Sequence, residues 1–355
     1  MGKRFDVVIG NPPYQDELIG DNEAKSPPIY HLFMDAAFEV AERAVLVTPA
    51  RFLSNAGQTP KSWNEKTLSD EHLKVAIFEP SSSTIFPGTA IDGGIVVTYR
   101  DATCVVGPIG SHSYLSDTAK SLVDAVSAHS TESLASTITE HPCSWNEQVF
   151  VDHPELRERI PASSGLRMKT NTFERMGEVC LTSDPKDGHE YVRIMGLANR
   201  RREARWVRRD YVVAPEVVNK YKVFIAKADG AAVKSGRVVG MPSVAPPKTG
   251  FTQTFMSIGK FGSDAEAEAC ATYVKTKFAR AMLGVLKTTQ DNSAIKWKHV
   301  PLQDFTSGSD IDWSKPIPQI DEQLYAKYEL NSEQISFIED KIKPLEGSAA
   351  RVGDT

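Results

Sequence analysis

Cysteine is scarce: four residues in 355 (Cys104, Cys143, Cys180 and Cys270), far apart and without a Cys-x-x-Cys pair. That excludes a disulfide scaffold and a cysteine metal cluster. It fits a reducing compartment, so a cytoplasmic location is expected. No apolar run approaches the ~20 residues that a membrane span needs. The start, MGKRFDVVIG, has neither an apolar signal core nor a small-residue cleavage site. No membrane partner is expected. Positive charge is not in excess, since 41 Lys and Arg face 46 Asp and Glu for a net −5. Any nucleic-acid surface must therefore be local. The eight histidines are scattered without paired ligand spacing, and no metal site is expected. Ser54, His72 and Asp92 lack the Gly-x-Ser-x-Gly elbow of a hydrolase triad. What remains is ordinary globular composition, 41% hydrophobic and 25% charged, in a chain long enough for two or three domains.

The pattern divides the chain at about 105, 150 and 318. In residues 1–105, Phe5–Gly10 reads as a strand buried on both faces, as in a parallel sheet. Ile29, Leu32, Phe33, Ala36, Ala37, Val40 and Ala44 recur at helical spacing. Strands follow at Ala44–Thr48, Lys74–Phe78 and Gly94–Tyr99. This alternation predicts a doubly wound α/β layer. Residues 106–150 read as a connection with a helix near 119–128. Residues 151–318 read as a mixed α+β domain with strands at Glu190–Ile194, Tyr221–Ala226 and Arg237–Gly240. One long helix is capped by Ser263 and Glu266, with Ala267 to Val285 on one face. Residues 319–355 read as C-terminal helices and a tail, Asn331 capping the second helix.

Asn11-Pro12-Pro13-Tyr14 directly follows the first strand. By itself this is a turn signal. Its placement says more, because open α/β sheets bind ligands outside the carboxyl ends of their strands. An exocyclic or amide nitrogen is a poor nucleophile while its lone pair is delocalised. The Asn11 side-chain oxygen and the Pro12 carbonyl can accept both amino hydrogens, which localises that lone pair. The two prolines hold the carbonyl rigidly, and Tyr14 can stack on a planar base.

FDVVIGNPPYQ resembles the catalytic motif of amino-group methyltransferases that use S-adenosylmethionine. Tyr30–Ala37, Val45–Leu53 and the stretch from Phe78 to Tyr99 resemble, in the same order, the amino-adenine (N6) DNA methyltransferases of restriction–modification systems. Lys220–Lys227, Lys296–Phe305 and Asp310–Ser314 resemble their target-recognition region. The resemblance implies a partial Rossmann-like methyltransferase sheet and methyl transfer to a flipped adenine in double-stranded DNA. It implies Asn11, Pro12, Pro13 and Tyr14 as catalytic residues, and Phe86, which matches an aromatic position of that family, as a stacking residue. Phe33 lines the adenine pocket of the donor or belongs to the core, the commoner fate. The family's Gly-containing cofactor loop, with its acidic ribose ligand, should precede the catalytic loop, and only ten residues precede Asn11. No other glycine cluster replaces it. A truncated chain, one subunit of a split enzyme and a decayed gene all stay open. So does a separate chain that supplies the cofactor half or a nuclease.

Between Arg193 and Lys227 lie Arg193, Arg200, Arg201, Arg202, Arg205, Arg208, Arg209, Lys220, Lys222 and Lys227, against Glu203, Asp210 and Glu216. This local excess of +7 leaves −12 on the rest of the chain. With Trp206 inside it, the stretch reads as a DNA-phosphate surface with a stacking residue, although charge runs are more often solvated faces. Lys296-Trp297-Lys298-His299 is a weaker copy, and its Trp297 is equally readable as core. Asp304, Asp310 and Asp312 lack a nuclease spacing and read as loop anchors. His31 reads as a surface or capping residue. The expected function is a site-specific adenine-N6 methylase. The alternative is an inactive DNA-binding specificity subunit or remnant. Methylation of protein glutamine or RNA guanine, which the same loop serves, does not require so long a basic C-terminal region.

Overall fold

In the computed structural model, Phe5–Gly10 forms β1, parallel to β2 (Ala41–Pro49). The residues described are 4–16, 26–54, 58–79, 81–89, 91, 93–106, 108–109, 117–161, 165–230, 236–287, 290–345, 347 and 350–352. They fall into two units, one of residues 1–121 with 285–289, the other of 122–284 with 290–355. No helix among the described residues is long and apolar enough to cross a membrane.

The first unit is a four-stranded mixed sheet in the order β1-β2-β4-β3, where β3 is Leu73–Glu79 and β4 is Ile95–Asp101. β4 runs antiparallel to both neighbours, so β1, β2 and β3 end at the same edge. Helix α1 (Tyr30–Val40) passes straight into β2, and α2 (Lys61–Leu68) follows that strand. Tyr30, Met34, Ala37 and Trp63 pack with Ala44, Leu46, Leu73 and Val96 on one sheet face. The opposite face is bare. On it Phe5, Val7 and Ile9 are 56%, 44% and 77% exposed, and Ile77 is 57% exposed. The register continues this face through Val45, Val47 and Val97.

β1 is therefore apolar on both sides but covered on one, unlike the doubly buried strand that its sequence predicts. The buried stripe of α1 also differs from the expected one. It is Tyr30, Met34 and Ala37, while Leu32 and Phe33 are exposed. Near the sheet's other edge Asp101 accepts from Arg43 Nε (3.0 Å), the Tyr99 hydroxyl (2.9 Å) and Thr103 Oγ1 (2.6 Å). Thr103 and Arg43 hold this carboxyl well below the usual carboxylate range.

Helix α3 (Ser82–Ile85) lies in the β3–β4 connection, and α4 (Asp117–His129) spans residue 121, where the two units divide. The expected 106–150 connection does not stand apart, because β5 (Ile138–Thr139) and β6 (Ser144–Trp145) join sheets of the second unit. Short helices α5 (Gln148–Asp152) and α6 (Thr172–Arg175) follow. A hairpin of β7 (Tyr191–Ala198) and β8 (Arg201–Arg208) is next. β9 (Val212–Val213) pairs with β6. The larger sheet has the order β14-β11-β10-β13-β5, with β10 at Tyr221–Ala226, β11 at Ser243–Ala245, β13 at Phe255–Phe261 and β14 at Ala350–Arg351. β12 (Thr249–Phe251) runs parallel to β7.

β7 is buried on both faces, and β8 is half-buried along most of its length. Val192, Ile194 and Val207 pack with Trp145 and Phe173, while Met195 packs with Phe224 and Phe251. Gly196 is required there, since a Cβ would lie 2.7 Å from the Phe173 ring.

Two expected elements differ. Arg237–Gly240 is a bend with Val238 at φ 68°, not a strand. The long helix breaks at Thr276 into α7 (Asp264–Lys275) and α8 (Lys277–Gly284). The buried Asp321 carboxylate makes this break stable by accepting from the Lys277 (3.1 Å) and Phe278 (2.9 Å) amides, the first donors of α8. Burial pushes its pKa up to about 6. Asp321 belongs to α9 (Ile317–Lys327), which with α10 (Ser332–Lys341) is part of the second unit. Ser263 caps α7 and Asn331 caps α10, each bonded to the side chain three residues on.

Lys222 on β10 is fully buried. Its ammonium donates to the carbonyls of Val218 (3.1 Å), Lys220 (2.9 Å) and Pro246 (2.8 Å). Burial pulls its pKa down to about 7 from 10.5. The unfolded chain then binds more protons between these values. The burial penalty is present in full below pH 7, and stability rises as pH climbs toward 10.5. Lys222→Met leaves three carbonyls unpaired and should cost about 2–3 kcal/mol in urea unfolding. It should also remove the part of the stability gain between pH 7 and pH 9 that wild type owes to this residue. Equal slopes in the two proteins would show that Lys222 does not titrate in this range.

Candidate functional site

Asn11 leaves the carboxyl end of β1 as an exposed residue, followed by half-buried Pro12 and exposed Pro13. Neither proline has an N–H to donate, so both can continue the loop without leaving an unpaired donor. A strap fixes the far end, with Ile29 N donating to Tyr14 O (3.2 Å) and Asp16 N to Pro27 O (3.1 Å). Tyr14 turns inward and packs on the core of the first unit. Its hydroxyl is buried without a partner, and burial raises its pKa.

β2 and β3 end at the same edge. The helical turn Ala50–Ser54 follows β2 and buries Phe52. The β3–β4 connection carries Phe86, half-buried, with its amide bonded to Ser82 O (2.7 Å). The Ser82 hydroxyl staples that loop, donating to Thr89 O and accepting from Ile91 N, both at 2.8 Å. Strand direction thus brings Asn11, Pro12, Pro13, Tyr14 and Phe86 to one edge of the sheet. Phe33 is 45% exposed on α1, which corrects the core reading. Asp92 of the Ser54–His72–Asp92 reading lies outside the described residues.

An aromatic cluster beside this edge was not legible as a site. His31 and Phe52 each meet the Trp63 ring edge-on, at 5.5 Å and 5.4 Å between centroids. His31 Nδ1 and Trp63 Nε1 are buried without hydrogen-bond partners, as is Thr48 Oγ1. His31 is half-buried and does not cap the helix, and burial lowers its pKa. Each residue stands alone in the sequence, so only the fold reveals the cluster.

In the second unit the basic stretch divides. Lys222 is withdrawn into the interior and is not a DNA contact. Arg208 bonds Asp210 (2.7 and 2.5 Å) and Asp152 (2.9 Å), with its guanidinium over the Tyr211 ring. Arg205 pairs with Glu203 (2.8 Å) and covers Phe173. Arg202 donates to Met241 O (2.8 Å), and Arg209 to Val212 O (2.8 Å). Arg193 lies 5.6 Å from the Trp206 ring centroid, so that half-buried indole is already stacked.

Arg200 and Arg201 are exposed and carry no side-chain partner among the described residues, and the half-buried Lys227 also carries none. In the second basic–aromatic cluster Trp297 is 1% exposed and Lys296 is buried, so both are core, while Lys298 is exposed and His299 half-buried. Asp310 pairs with Lys327 (2.9 Å), Asp312 accepts from Ser314, and Asp304 from Thr306 N. No His, Cys, Asp and Glu group among the described residues has metal-holding geometry.

Residues 1–86 match the family model described as Eco57I restriction-modification methylase, a stretch that runs from β1 through Phe86. The match supports DNA methyltransferase activity in general. No curated protein matches the chain.

Asn199 and Arg200 form the two-residue turn of the hairpin, with φ of 51° and 63°. Such turns favour Gly at the second place, and an L-residue with left-handed φ is strained. Arg200→Gly should therefore raise the unfolding free energy by about 0.5–1 kcal/mol. A lowered urea midpoint would show that the turn holds Arg200 without strain.

Proposed function

We propose that this chain carries the acceptor side and the target recognition of a site-specific adenine-N6 DNA methyltransferase of a restriction–modification system. The observation that carries the reading is the Asn11–Tyr14 loop at the carboxyl end of a parallel strand, within the stretch that matches the methylase family. The target adenine leaves the duplex. The Asn11 side-chain oxygen and the Pro12 carbonyl accept its two amino hydrogens, localising the lone pair for attack. Pro13 keeps the loop stiff. Tyr14 and Phe86 hold the ring, which requires the inward-turned Tyr14 to swing out of the core when the base enters. Arg200, Arg201 and Lys227 are the contacts to double-stranded DNA that the geometry leaves available.

The donor in this reading is S-adenosylmethionine. The described residues do not fit a whole donor site. Phe33 offers an exposed ring, but Asp35, the acid nearest to it in the sequence, already pairs with Lys66 (3.4 Å). No strand–glycine loop–helix unit is among the elements of the first unit. The bare apolar face around Phe5, Val7 and Ile9 supports supply of the rest by another polypeptide segment, because parallel strands are normally covered on both faces. A DNA-binding specificity module without activity of its own is the second reading, favoured by that same face for the chain in isolation.

Asn11→Ala, in an enzyme complemented with its donor-binding part, should lower methyl transfer to DNA at least 100-fold while duplex affinity stays unchanged. Methylation at the wild-type rate defeats the catalytic assignment. Ile9→Glu places a charge on the bare face and should block complementation with little loss of stability in the chain alone. Complementation at wild-type concentrations would mean that this face stays open to solvent.

A further inference from the structure

The second unit has a recess, between β6 and α6, that this reading leaves unused. Trp145 forms its floor, and Arg167, Lys169, Asn171, Thr172 and Arg175 line it. Its empty space is about 270 Å³, part of it open to solvent. Only about 20 Å³ of it counts as cavity in the sense in which pockets for whole small molecules measure roughly 300 Å³ and more. None of its lining side chains is acidic.

Arg167 and Lys169 have no side-chain partner among the described residues. Arg175 is fixed from behind. Its Nη1 donates to Arg159 O (2.9 Å), and Arg159 Nη1 donates to Arg175 O (3.0 Å). Arg159, not Arg175, takes the nearby carboxylate of Glu178 (2.8 Å). Three cations thus face one small opening without a neutralising carboxylate, beside an amide and a hydroxyl. Like charges gathered in this way repel until an anion joins them, and charge-assisted bonds to its oxygens are strong.

We propose that this recess is a phosphate-binding site, and that the phosphate is one of the DNA backbone. The choice of source rests on the proposed DNA-methylase reading. The half-open shape suits one phosphate of a long strand better than an enclosed metabolite. Arg167, Lys169 and Arg175 lie outside the 193–227 stretch, so charge counting did not find them. Arg167 is exposed and Lys169 half-buried, so neither side chain belongs to the buried core.

The test compares wild type with Arg167→Ala/Lys169→Ala. Binding of a 30-bp duplex is measured across salt concentrations, and inorganic phosphate is titrated while following the Trp145 indole N–H resonance. The proposal expects roughly tenfold weaker duplex binding in the variant, with a slope of log K against log salt shallower by about 1. Phosphate should shift the Trp145 resonance in wild type and not in the variant. Wild-type duplex binding in the variant overturns the DNA source, and an indole that ignores phosphate overturns the site. If wild type fails to bind the duplex while phosphate still shifts the indole, the DNA reading falls. The recess then stands as a site for free phosphate.

Discussion

The parallel pairing of β1 with β2 is the constraint on which the first unit depends. It sets Ile9 against Val45 and Gly10 against Leu46, so both strands stop at one edge. That common edge turns an Asn-Pro-Pro turn into a candidate acceptor site, because the chain leaving β1 lies at the edge where β2 and β3 also end. The same pairing creates the unit's incompleteness. α1 and α2 cover the face that carries Ala44 and Leu46, while Phe5, Val7 and Ile9 point the other way and stay exposed. A strand that is apolar on both sides is built for two layers, and one is present among the described residues.

Local features were legible where a residue's role depends on its immediate neighbours. β1 and β10 occupy the spans read from their apolar runs, and Ser263 and Asn331 cap the helices they announce. Features set by distant partners were not. The break at Thr276 is stabilised by Asp321, 45 residues on in the sequence. The buried stripe of α1 is offset because the sheet it meets, not its own periodicity, decides which of several apolar residues turn inward. Phe33 and Tyr30 are both apolar enough for the core, and packing chose Tyr30.

The basic stretch shows why a charge count misleads as a map of a surface. In a strand, alternate residues face opposite ways, and a half-buried strand such as β8 draws its arginines into internal work. Arg205 lies over Phe173, Arg208 lies over Tyr211 between two aspartates, and Arg202 reaches the Met241 carbonyl. Lys222 goes furthest, with three carbonyls serving as the acceptors that water would otherwise provide. An ammonium in such a cage contributes to the position of β10 and nothing to the field outside. Arg200 and Arg201, which carry no internal bond, sit at the tip, where the backbone itself is strained.

That coincidence has a physical logic. A two-residue turn with both φ values positive is most stable with glycine at Arg200, so the arginine there lowers stability in exchange for a guanidinium at the most advanced point of a clamped hairpin. The support is stiff, because both faces of β7 are packed and Gly196 lets Phe173 approach the backbone closely. A charge held on a stiff support loses little conformational freedom when it meets an anion. The recess around Arg175 follows the same rule by other means, with a carbonyl exchange in place of a tight turn. In both places the surrounding structure fixes a cation and withholds the carboxylate that would neutralise it. That shared arrangement, more than the number of lysines and arginines, is what the proposed phosphate contacts rest on.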